Sequence, residues 1–180
     1  ELDLLAGLCE RMNAAGVRIM RAAIAGNLLD PVYDSRGLRW ARDAGGVEES
    51  FARESDPTAN EDWAHSPFFR MIQDDALFLR RRIGDAHPRG EFPVVDELAA
   101  RGATDYVAFL TRAGPDGWHR EIEGMISSWT TDAPDGFTDA QKAGARTALA
   151  TWDDLIAPDM VEVAPGANGW ATDIEFGFST

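Results

Sequence analysis

Chemistry in this chain would have to come from three histidines, one thiol, two pairs of adjacent carboxylates, a few serines and an arginine cluster. His65, His87 and His119 fall in loops or at a strand start, far apart in sequence. None has a ligand set or a nucleophile beside it, so neither a metal nor a general-base role is supported. Cys9 sits on an apolar helical stripe, which suits a buried inert thiol better than a nucleophile. Asp74-Asp75 and Asp153-Asp154 are adjacent in sequence. Neighbours on a helix or strand point in different directions, so neither pair can pinch a metal unaided. Ser66 and Ser127-Ser128 lack the G-x-S-x-G surround, and no glycine-rich phosphate loop is present. Acyl and phosphoryl transfer thereby lose their usual sequence support; no catalytic residue, metal or cofactor is expected.

Arg80-Arg81-Arg82 is the one dense basic cluster. Alternation puts Arg80 and Arg82 on one face beside Phe78. A solvated strand edge is the plainer reading, and contact with an anion or a partner is the alternative. The six tryptophans are many for this length, and Trp40, Trp63 and Trp129 could line a cavity for a planar or apolar ligand. With Phe78, Arg80, Arg82, Tyr106 and Phe109 they make up the pocket candidates.

The elements that must position these residues can be read from the pattern. Leu2, Leu5, Cys9 and Met12 form one helical stripe, with Leu4, Leu8 and Ala15 on an adjoining one. That apolar surface is wider than one core-facing side requires, so the helix could serve both a core and a partner. Gly16 ends it. Val17–Ala25 and Leu38–Arg42 read as antiparallel strands joined by a long turn-rich loop. Residues 53–66 are polar and read as a surface loop, in which Trp63 would tuck over the core or lid a pocket. Ser66-Pro67 has the form of an N-cap and first turn. Ala76–Ile83 reads as an edge or half-exposed strand, and Phe92-Pro93 begins a helix that Gly102 stops.

The chain is organised around residues 103–141. In Thr104–Arg112, Tyr106, Ala108 and Leu110 alternate with Val107 and Phe109, the period of a strand with a buried face. Gly114-Pro115-Asp116-Gly117 supplies a turn, and Trp118–Thr131 alternates again as a second strand. Pro134-Asp135-Gly136 turns the chain once more. Thr138 and Gln141 then have capping-box spacing for a last helix running to about Ala157, where Pro158 ends it. Leu149, Trp152 and Ile156 share a stripe of that helix. The result is one α+β domain over residues 1–157, a central antiparallel sheet of about five to six strands with the first and last helices on one face. Residues 158–180 form a tail with a Gly/Pro-rich stretch, PGANG, after which Thr172–Phe178 could form a strand.

Composition narrows the partners. The chain has 180 residues, and 17 basic against 31 acidic side chains give a net charge of −14. Such a surface repels polyphosphate and anionic lipid, which disfavours nucleic acid and membrane partners. A single cysteine forms no internal disulfide, and no apolar run approaches the roughly 20 residues needed to cross a bilayer. A cytoplasmic location fits. The first residue is Glu1 rather than Met, so a fragment whose missing parts carry the activity is one reading.

The element order, with S-P-F-F-R at Ser66, Phe92-Pro93 before a helix, A-T-D-Y at Ala103, I-S-S-W-T-T-D at Ile126 and P-D-G-F-T-D at Pro134, resembles a known module. It is similar to the GAF-like N-terminal sensory domain that precedes the catalytic domain of bacterial class III adenylate/guanylate cyclases. The resemblance covers residues 1–157 and implies a regulatory domain, with cyclic-nucleotide synthesis in a catalytic domain elsewhere in a parent chain. The metal-binding aspartates and purine-reading residues of such a catalytic domain have no counterpart here. Neither has the asparagine-lysine-phenylalanine-aspartate-glutamate set of cyclic-nucleotide-binding GAF domains, so cyclic-nucleotide sensing is not implied. The implied assembly is a homodimer through the first and last helices, with Leu2, Leu5, Cys9, Met12, Leu149, Trp152 and Ile156 as contact candidates, and an unidentified small molecule as possible ligand. Two alternatives remain open: a small-molecule-processing enzyme using an Arg–carboxylate pair in the same pocket, and a pure interaction scaffold whose cavity is packed solid by Trp40, Phe109 and Trp129.

Overall fold

In the computed structural model, residues 1–28, 32–52, 60–84, 89–111, 125–140 and 143 are described. The order of elements is α1 (Leu2–Ala14), β1 (Ile19–Asn27), β2 (Tyr33–Ala41), β3 (Gly45–Ala52), α2 (Glu61–Ala64), α3 (Pro67–Gln73), β4 (Phe78–Arg82), α4 (Pro93–Ala100), β5 (Asp105–Thr111) and β6 (Met125–Thr131). The six strands form one sheet in the order β3-β2-β1-β6-β5-β4, antiparallel throughout. The α+β reading holds, and β4 is an edge strand as its half-exposed alternation implied.

Three of the helices stop by the same device. After α1, the N–H of Gly16 bonds back to Asn13 O and that of Val17 to Met12 O. This is the Schellman pattern, which needs a left-handed residue at Gly16, where φ is 87°. Gly102 plays the same part after α4 at φ 91°, and Asp75 after α3 at φ 57°. At the other end of α3, Ser66 Oγ accepts the N–H of Phe69 at 3.1 Å, and Pro67 opens the first turn as the sequence predicted.

Each face of the sheet has its own core. On the first, Trp40, Ala22, Trp129, Val107 and Arg80 form one row across β2, β1, β6, β5 and β4. Helix α1 lies on this side, and its Leu5, Leu8, Cys9 and Met12 are buried with Trp40, Val107, Phe109 and Trp129. Burying each such side chain contributes about 1.5–3 kcal/mol. On the second face, Met71 of α3 and Val95 and Leu98 of α4 pack on Leu79, Tyr106, Ala108 and Leu110. The alternation of β5 thus sorts its side chains between two cores as the sequence implied, and the strand is buried on both sides.

The structure adds to and corrects the sequence reading at several points. Strand β3 was not anticipated, and β2 begins at Tyr33, so most of the presumed loop before Leu38 is strand. Part of the presumed 53–66 loop is α2, capped by Asn60 Oδ1 on the N–H of Trp63 at 3.1 Å. The turn at 114–117, the earlier part of the Trp118–Thr131 strand and the last helix beyond Ala140, apart from Ala143, lie outside the described residues, as does the 158–180 tail.

Candidate functional site

Strands β4 and β5 bring the resemblance-bearing residues together with the arginine cluster. Asp105 opens β5 with a wholly buried carboxylate. Arg80 of β4 binds it through Nη2 at 2.6 Å and Nε at 3.1 Å, and the N–H of Phe137 donates to the same oxygen at 3.1 Å. Arg82 lies 3.8 Å from that carboxylate and donates to the carbonyl of Asp135. Gly136 is required here. Its φ is 67°, and a Cβ at this position would lie 2.5 Å from Asp105 Oδ2 and 2.7 Å from Arg82 Nη1. This clamp fixes the turn that leaves β6 just before a helix starts at Asp139.

Arg80 and Arg82 do share the face of Phe78, and both are held by partners within the chain. Arg81, on the opposite face, pairs with Glu91 at 2.8 Å and stacks over Phe92 at 5.5 Å. The aromatic candidates divide as well. Trp40, Phe109 and Trp129 are buried in the core beneath α1, where Phe78 packs at 5.2 Å from the Phe109 ring. Tyr106 lies on the other face, fully buried, and burial pushes its phenol up to about 12. Trp63 is half-buried in α2, edge-on to Phe69 at 6.3 Å. The eight candidates therefore do not line one cavity, because alternation assigns them to opposite sides of the sheet.

The helix-contact candidates are corrected in the same way. Leu5, Cys9 and Met12 are buried against the chain's own sheet, and Leu2 packs on Gly46 of β3. The exposed large apolar residue of α1 is Leu4, at 54%. Leu149, Trp152 and Ile156 lie outside the described residues. Cys9 is inert as expected: burial, with Glu10 adding to it, pushes its thiol up to about 12. Of the histidines, His65 donates from Nδ1 to the carbonyl of Glu61 at 2.9 Å, and the other two lie outside the described residues. Among the described residues no group of three or more His, Cys, Asp or Glu could hold a metal.

Sequence reasoning missed Arg21. A β-bulge between Ile19 and Arg21 shifts the pairing of β1 with β6, so Ile19 faces Thr131 while Arg21 faces Thr130. Ile19 joins the core under α1, and Arg21 stands on the second face in a row with Ala41, Thr130 and Tyr106. Its Nε is buried without a hydrogen-bond partner. Burial lowers the affinity of this guanidinium for its proton, Arg39 lowers it further, and Glu97 acts in the opposite sense. The signal in the sequence was a lone arginine inside the apolar run Ile19–Ile24.

No family model matches this chain, and no curated protein does. Among solved structures it is similar to the GAF domain of a two-component sensor histidine kinase from Bacillus halodurans, at 7% identity and TM-score 0.44, covering 81% of this chain and 86% of that one. It is also similar to an IcIR transcriptional regulator from Alicyclobacillus acidocaldarius, at 12% identity and TM-score 0.23, covering 83% of this chain and 64% of that one. The fold assignment rests on the strand order and register described above rather than on these likenesses.

Proposed function

We propose that this chain is a GAF-like, non-catalytic sensory module of a class III adenylate/guanylate cyclase-type signalling protein. The observation that carries the reading is where the resembling segments meet. The one at Ala103 supplies Asp105, the one at Pro134 supplies Gly136 and Phe137, and the Arg80–Asp105 pair joins them. A shift of β4 against β5 is thereby passed to the turn that leads out of the sheet. Such a joint is what a module needs if it is to report an event on its sheet through the segment that follows. Dimerisation belongs to this reading through the outer surface of α1, where Leu4 is exposed.

The test is a fusion of this chain to a class III catalytic domain, with cyclic AMP production as readout. Asp105→Asn is expected to change output several-fold while the fusion stays folded and dimeric. Unchanged output in a folded variant would remove the regulatory role. A monomer at micromolar concentration by analytical ultracentrifugation would remove the dimer.

The packed aromatic core beneath α1 favours a second reading, an interaction scaffold that carries contacts without a ligand. Native mass spectrometry before and after denaturation separates the two, since a co-purified small molecule belongs only to the sensor. For the enzyme alternative, the buried Arg80–Asp105 pair is held as a structural joint, with Asp105 also accepting from the Phe137 N–H.

A further inference from the structure

A guanidinium in a protein interior almost always meets a carboxylate or carbonyl, since an uncompensated buried charge is destabilising. The arginines around Arg21 are ion-paired even at the part-exposed surface. Arg39 pairs with Glu49 at 2.9 Å and Arg101 with Asp43 at 2.7 Å, whereas no carboxylate of the described residues lies within ion-pair distance of Arg21. Its Nε is buried and unbonded. A β-bulge sets its position, and bulges next to functional sites commonly re-aim a side chain. The sheet beside it is lined by small groups: Ala23 stands between Ser128 of β6 and Arg39 of β2, and Ala25 stands between Ile126 and Gly37. Ala23, Ala25 and Ser128 are only half-buried, so α3 and α4 leave this part of the sheet partly open. Arg101, at the end of α4, reaches across to Asp43 in the β2–β3 turn and closes one side.

We propose that Arg21 anchors a binding site for a small oxyanion, with a carboxylate or phosphate group seated on the Ala23–Ser128 floor between Arg21 and Arg39. The planar guanidinium donates in a fork that matches either group, and the small floor residues leave room for the body of the ligand. In a chain of net charge −14, Arg21 stands near two further arginines, Arg39 and Arg101, with the Glu97 carboxylate acting against them. The inference deepens the sensory reading and rests on it only for the purpose of the ligand.

The test follows the Nε–H resonance of Arg21 in nitrogen-15-labelled protein during titration with sodium phosphate or sodium benzoate, against sodium chloride at matched ionic strength. A saturable shift with either anion is expected, and the arm that saturates first identifies the headgroup. Followed through the backbone amides of Ala23 and Ser128, which both variants keep, Arg21→Gln should weaken the response roughly tenfold or more, the worth of a charge-assisted hydrogen bond. Ala23→Leu, which fills the floor without touching a charge, should weaken it as well and keeps the test open if the Arg21 variant does not fold. Shifts no different from chloride, or unchanged binding in both variants, would overturn the proposal. Saturable binding that leaves the output of the cyclase fusion unchanged would keep the site and remove the sensory role.

Discussion

The carboxylate of Asp105 and the guanidinium of Arg80 meet at 2.6 Å across the β5–β4 pair, the first wholly buried and the second largely so. This contact sits at the edge of the sheet, yet it also holds the turn after β6 through the N–H of Phe137. Removing one partner of a buried pair strands the other, which costs about 3–5 kcal/mol. Asp105→Ala is therefore expected to lower the unfolding free energy by that amount in urea denaturation. A loss under 1 kcal/mol would show the pair to be dispensable.

Two glycines distinguish backbone strain from crowding. Nothing lies within 4 Å of a Cβ placed on Gly16, so Gly16→Ala should cost only the left-handed penalty, about 1–2 kcal/mol. Gly136→Ala adds a collision with Asp105 and Arg82, and about 2–5 kcal/mol is expected. Thermal melts of the two variants side by side would check the order; equal losses would mean that the clamp yields freely.

The pattern of residues carried the strand faces but not what covers them. Period-two alternation correctly separated Tyr106 from Phe109, and the Pro67 and Pro93 helix starts were legible from local chemistry alone. Whether Trp40 and Trp129 line a cavity or a core depends on where α1 lies, and that is a tertiary fact with no local signature. Strand β3 escaped notice because Gly45, Gly46, Glu48, Glu49 and Ser50 read as polar loop, although Val47, Glu49 and Phe51 share one face. The bulge that orients Arg21 lies in the pairing of two strands remote in sequence, where a single run of residues does not encode it.

Asp132 supplies a pH dependence. Partial burial raises its pKa, but hydrogen bonds from Arg18 and Arg42 outweigh this and hold the carboxyl below its ordinary value. A depressed folded-state pKa gives stability that is present above the unfolded value and lost as pH falls through the folded one. Wild type should therefore lose stability relative to Asp132→Asn as pH drops from about 5 to below 3. At neutral pH the difference should stay within about 1 kcal/mol, since both arginines are substantially exposed. Denaturation midpoints of the two proteins across that range provide the check, and parallel curves would contradict it.

Cys9 offers a probe of opening. Its side chain is inaccessible and its thiol raised to about 12. A maleimide at pH 7.5 should label it only as fast as α1 leaves the sheet, with labelling rates that rise with urea. Immediate labelling of the native protein would mean that α1 is detached.

The seam between β1 and β6 pairs residues about a hundred positions apart, from Gly26 with Met125 to Ile19 with Thr131, yet it runs through the middle of the sheet. On the ribosome, β1 can pair with β2 as soon as their hairpin emerges, but its other edge must wait until nearly all of the described chain has been synthesised. During that interval the half-sheet β1–β2–β3 exposes an unsatisfied ladder and half of an aromatic core. The rate at which β6 arrives, rather than the strength of any local element, would then govern whether a nascent copy completes its own sheet or pairs with a neighbour's.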